Sequence, residues 1–129
     1  MASGLPAATG DVLTAATVNG LVTFTVNADA TSDYTAVLND QYQVLQPMNK
    51  ATAIAFKIPT NASVAFPVGT TITILNKGAG DCTISAVTSG TTTVLSAGAA
   101  AASPVLKQYK TAVCIKTATD TWYVAGAIA

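Results

Sequence analysis

The stretch Lys77-Gly78-Ala79-Gly80-Asp81, six aspartates and two cysteines carry most of the side-chain and backbone chemistry that this sequence offers. A phosphate cradle needs glycine amides that feed a helix N-terminus, with Lys and then Ser or Thr after the glycines. Here Gly80 leads into "DCTISAV", a β-branched run with no helical character. The glycines therefore predict a turn between two alternating strands, a hairpin, because glycine takes positive φ at little cost. The aspartates Asp29, Asp33, Asp40, Asp81 and Asp120 sit beside turn residues, where a carboxylate bonds the local backbone. A glycosidase-like carboxylate pair is the less favoured use of them. A calcium site built on Asp29 and Asp33 is a further alternative, although their spacing matches no EF-hand loop. Cys82 and Cys114 each fall in an alternating apolar run and read as small buried hydrophobes. A disulfide between them and a reactive thiol are the other readings.

What is missing narrows the chemistry further. The chain has no His, and every acid is Asp and every base Lys. Histidine-activated nucleophiles and most zinc sites are excluded, as are bidentate arginine clamps on phosphate or carboxylate. No catalysis and no cofactor are expected. The lysines Lys50, Lys57, Lys77, Lys107, Lys110 and Lys116 are scattered, read as solvated strand faces and form no basic stripe, so nucleic acid is not the expected partner.

Charged residues make up 9% of the 129 residues, and the formal net charge is zero. Soluble domains usually carry about 25% charge. A surface so poor in charge gains by being covered, by copies of the same chain or by a larger assembly. The first residues lack the basic start and continuous apolar core of a signal peptide. No stretch approaches the roughly 18 apolar residues of a membrane-spanning helix.

The elements that must position these residues are short strands. "LVTFTV" (21–26), "DYTAVL" (33–38), "TAIAFKI" (52–58), "TTITIL" (70–75), "CTISAV" (82–87), "TTTVL" (91–95), "TAVCIKT" (111–117) and "TWYVAGAI" (121–128) alternate or are rich in β-branched residues. No apolar face persists at helical spacing for three turns. "LNDQYQVLQPMN" (38–49) predicts a brief helical turn before a strand that ends at Pro47. The predicted fold is all-β, a jelly-roll-like sandwich over 21–129, preceded by an extended arm over 1–20. Trp122 and Tyr123 are neighbours on a strand, so one faces the core and the other is more exposed. They are candidate core or interface anchors, with sugar stacking as a lesser use.

The stretch from Tyr34 to Ala86, with "SVAFPVGT", the "GAG" turn and "TI" in that order, resembles a β-module of phage virion proteins, both head-decorating and tail-fibre-like. The close "LKQYKTAVCIKTATDTWYVAGAIA" matches the module's "TDTW" ending and final glycine strand. The resemblance spans about residues 33–129; Gln41 follows Asp40 where the module carries glycine. It implies a non-enzymatic virion component.

A short arm on one such module implies a complete small protein: a capsid decoration, or cement, protein. It would be made in the host cytoplasm and bound to the major capsid protein on the outside of the head. The expected oligomer is a trimer, since threefold capsid positions present three equivalent surfaces. The alternative is a tail-fibre or tail-spike tip that binds host glycans. Within the arm, Leu5, Val12, Leu13 and Val18 are the candidate anchors to a neighbour.

Overall fold

The computed structural model describes residues 24–96 and 104–128, and their architecture is all-β. The expected arm, with Leu5, Val12, Leu13 and Val18, lies outside the described residues. Among the described residues ten strands form two mixed sheets. The six-stranded sheet contains β1 (Thr25–Val26), β3 (Val44–Met48), β5 (Thr71–Asn76), β9 (Thr111–Ala118), β10 (Thr121–Gly126) and β7 (Thr93–Ser96), in that spatial order. The four-stranded sheet contains β2 (Tyr34–Thr35), β4 (Ile54–Ile58), β6 (Cys82–Ala86) and β8 (Val105–Leu106). A 3₁₀ turn over Leu38–Gln41 precedes β3, as the sequence predicts.

Period-two alternation decides what each strand buries. Ile54, Phe56 and Ile58 of β4 face inward, as do Ile72 and Ile74 of β5 and Trp122 and Val124 of β10. Side chains from both sheets meet in one apolar cluster, so the sheets lie face to face as in a sandwich. Fully burying each large aliphatic or aromatic side chain stabilises by roughly 1.5–3 kcal/mol. Phe66 packs edge-on against Trp122 at 5.5 Å within this core.

The connectivity differs from the expected jelly-roll pattern of antiparallel strands. From β1 to β6 the chain passes alternately between the sheets, and each strand pairs in parallel with the one laid down a circuit earlier. Val44 pairs with Ile72 in one sheet and Ile54 with Cys82 in the other, the same offset of 28 positions. Only then do antiparallel pairs enter: β5 with β9, β9 with β10, and β6 with β8.

This winding also corrects the hairpin expected at Lys77–Asp81. The segment is a turn, but β5 and β6 lie in different sheets, so it is a corner. The corner rests on the previous circuit's corner. Lys77 N–H donates to the Met48 carbonyl at 2.7 Å, and Gly80 N–H to the Lys50 carbonyl at 3.0 Å. A Cβ at Gly78 would overlap the Lys50 backbone, and one at Gly80 the Thr52 backbone. Neither glycine is among those with positive φ. Close approach, not backbone conformation, demands glycine here. Asn76, fully buried, ties the corner together. Its amide donates to the Gly80 and Leu106 carbonyls at 2.9 and 2.8 Å, while its oxygen accepts from Gly78 N–H at 3.2 Å.

Candidate interaction surface

The outer face of the six-stranded sheet is a surface that could meet a partner. Alternation turns one set of side chains outward, and strand register brings them into rows. One row runs Val26, Leu45, Thr73, Val113, Ala125. The next runs Thr71, Ile115, Tyr123, Leu95. No outward position in these rows carries a charge. Val26 is 63% and Tyr123 47% exposed, whereas Leu45, Val113 and Ile115 are half-buried by their neighbours. On the other sheet Lys57 points outward from β4 and sits 3.8 Å from Asp33. The two faces thus differ in chemistry, one apolar and threonine-rich, the other charged.

Trp122 and Tyr123 divide as alternation requires. Trp122 is a core residue, 1% exposed, and Tyr123 stands on the outer face. Only Tyr123 of the pair can touch a partner.

A cleft of about 260 Å³ lies beside the β1 edge, lined by Thr25, Asn27, Asn39, Asp40, Tyr42 and Val44. Asp40 is buried at its wall. One carboxylate oxygen accepts from Asn27 Nδ2 at 3.1 Å; the other accepts from the Tyr34 hydroxyl at 2.7 Å and Val37 N–H at 3.0 Å. Asn27 also donates to Gln46 Oε1 at 2.9 Å. Burial and the neighbouring carboxylate raise the Tyr34 phenol's pKa, so it stays protonated. Three donors already satisfy this carboxylate, and Asp40 is a strut that fixes the 3₁₀ turn and the β1 edge.

The other aspartates are structural in a similar way. Asp29 accepts from Lys77 Nζ at 2.8 Å and Asn49 Nδ2 at 3.1 Å, which hold its carboxyl below its ordinary range. Asp33 caps the Ala55 N–H, and Asp81 pairs with Lys107 at 2.7 Å. Asp29 and Asp33 serve different partners. No group of three potential metal ligands occurs among the described residues. Cys82 and Cys114 are free and fully buried. Burial pushes the Cys82 thiol up to about 11 and raises Cys114 as well.

Lys116 departs from the solvated strand face expected of the lysines. It follows Ala112 and Cys114 on the inward side of β9 and is 2% exposed. Its Nζ donates to Asn61 Oδ1 at 2.6 Å and to the Phe66 carbonyl at 2.7 Å. Asp120 lies in the same cluster and accepts from Asn61 N–H at 2.7 Å and from Thr92 Oγ1 at 3.2 Å. An inward lysine within an apolar alternation was the available signal. Its partners lie some fifty positions away, which no local pattern reveals.

No family model matches the chain, and neither does any curated protein or solved structure. No helix among the described residues is long and apolar enough to cross a membrane.

Proposed function

We propose that this chain is a phage capsid decoration protein, a non-enzymatic homo-oligomer, trimeric, that binds the outside of the assembled head and stabilises it. The observation that carries the reading is the charge-free outer face of the six-stranded sheet. Such a face gains by being covered, and a shell offers many identical places where a small contact is multiplied. The resemblance of the "SVAFPVGT" and "TDTW" segments to head-decorating modules points the same way.

A second reading, a tail-fibre or tail-spike tip that binds host glycans, has its own observation. Tyr109 is 78% exposed, at φ 66°, between Lys107 and Lys110 on the β8–β9 turn. An aromatic ring held out into solvent beside cations suits the face of a sugar.

Immunogold labelling of intact particles separates the two. Label on heads, together with heads that lose heat resistance when the protein is stripped, supports decoration. Label confined to tail tips rejects it and favours the glycan reading. Deleting residues 2–20 is expected to lower occupancy on heads while leaving the β-domain folded. Full occupancy after deletion would remove the arm, with Leu5, Val12, Leu13 and Val18, from the contact.

A further inference from the structure

We propose that Lys116 and Asn61 become joined by an intramolecular amide bond, in which Lys116 Nζ replaces the side-chain nitrogen of Asn61. Nζ already touches the carboxamide through Oδ1 at 2.6 Å, beside the carbon it would attack. The reaction needs no external reagent. The amine adds to Asn61 Cγ and the Cγ–Nδ2 bond breaks. One amine proton passes to the departing nitrogen, which leaves as ammonia. Nothing is oxidised or reduced.

Three features of the site favour this step over a lasting hydrogen bond. The first is the state of the amine. Burial disfavours the ammonium form and lowers the Lys116 pKa, against the opposing pull of Asp120. The neutral amine is the nucleophile. The second is immobilisation. Lys116 sits mid-strand in β9, opposite Trp122 of β10. Asn61 is pinned through its backbone N–H to Asp120, and Asp120 is pinned by Thr92 and by Thr93 N–H on its carbonyl. Two groups so held react as one molecule, with effective concentrations far beyond any in solution.

The third feature is the surrounding chemistry. Lys116 is 2% exposed, and the Phe66 carbonyl takes a second proton of Nζ, which orients it. Asp120 is the ionisable group acting on Lys116 among the described residues, and its carboxylate accepts from Asn61 N–H at 2.7 Å, which fixes the loop that presents the carboxamide. It serves as a positioning residue for Asn61. The bond would tie β9 of the six-stranded sheet to the loop that follows β4 of the other sheet.

Mass spectrometry of the purified full chain tests the proposal. The chain is expected to be one ammonia lighter than its sequence, and proteolysis should yield a branched peptide joining the segment of Asn61 to that of Lys116. Asn61→Ala and Lys116→Met should each show their full sequence mass. Asn61→Asp, which keeps the shape of the side chain, should link with loss of water instead. Asp120→Asn should accumulate unlinked chains that link about tenfold to a hundredfold more slowly, because Asn61 is less firmly held, and faster as pH rises and frees the amine. A lost contact alone would lower thermal stability without that pH dependence. A wild-type chain at full mass after prolonged incubation at neutral pH overturns the proposal. So does loss of ammonia without a branched peptide, the mark of a cyclic imide at Asn61.

Discussion

Gly80 lies so close to the backbone of Thr52 that a Cβ on it would overlap the Thr52 carbonyl. The obstacle is main chain, held in the preceding corner by the Gly80 N–H to Lys50 carbonyl bond. Gly80→Ala is therefore expected to cost about 3 kcal/mol, the upper part of the range for overpacking. Gly69 supplies the comparison, with φ 95° and open space where a Cβ would go. Gly69→Ala should cost about 1 kcal/mol, from backbone conformation alone. Urea denaturation of the two variants checks the order; equal losses would remove the stacked-corner explanation.

Asp40→Ala strands three donors at once: the Tyr34 hydroxyl, Asn27 Nδ2 and Val37 N–H. Removing a buried acceptor costs about 1–3 kcal/mol for each donor left unsatisfied, less where water enters. The cleft beside Asp40 admits water, so a total near 3 kcal/mol is expected. Hydrogen exchange should localise the loosening to residues 34–44. A loss of less than about 1 kcal/mol would show that the strut is dispensable.

The thiols predict an alkaline limit. The Cys82 pKa rises from 9.0 to about 11 on folding, so its protonated form is favoured in the native state. The stability this reflects is complete below pH 9 and is lost as pH climbs through 11. The loss from Cys82 is roughly 2–3 kcal/mol, and Cys114 shifts in the same direction. Denaturant midpoints measured from pH 8 to 11 should fall through this window. At pH 8 neither thiol should react with a disulfide reagent until the chain unfolds. Rapid labelling of native protein would contradict the burial of both.

Val113→Lys places a cation in the centre of the charge-free face without touching the core. Burying an unpaired ammonium at an interface costs several kcal/mol. Self-association should weaken by at least about a hundredfold in sedimentation experiments, with the circular dichroism spectrum unchanged. Thr83→Lys, on the outward side of β6, should leave association intact. If Val113→Lys associates like the parent chain, this face is not where copies meet.

Much of the fold was legible because alternation is a local property. Ile54, Phe56 and Ile58 announce the buried side of β4 from five consecutive residues. The split between Trp122 and Tyr123 follows from the same rule. Pairing direction was not legible. A parallel neighbour 28 positions away leaves no mark on either strand, so a glycine corner between β5 and β6 looked like a hairpin. The charge-free face is equally hidden. Val113 and Thr73 are unremarkable in sequence and become one surface only once β5 and β9 are paired. Lys116 misleads for the same reason, since what makes its burial tolerable is Asn61 and Phe66, which arrive from a distant loop.

The winding of the strands also sets an order of assembly. Among the described residues, β9 and β10 are the one pair of consecutive strands that zip together antiparallel, and so the one pairing available as a local nucleus. Every other pairing must close a long stretch of chain before any contact rewards it, which slows folding toward the millisecond-to-second range. That nucleus comes late in the sequence yet sits between β5 and β7 in the six-stranded sheet. During synthesis, β1, β3 and β5 emerge before the hairpin that completes their sheet. Until then the second edge of β5 has no partner and the parallel strands before it lack the rest of their sheet, so expression yield should depend on chaperone supply more than the stability of the finished fold would suggest.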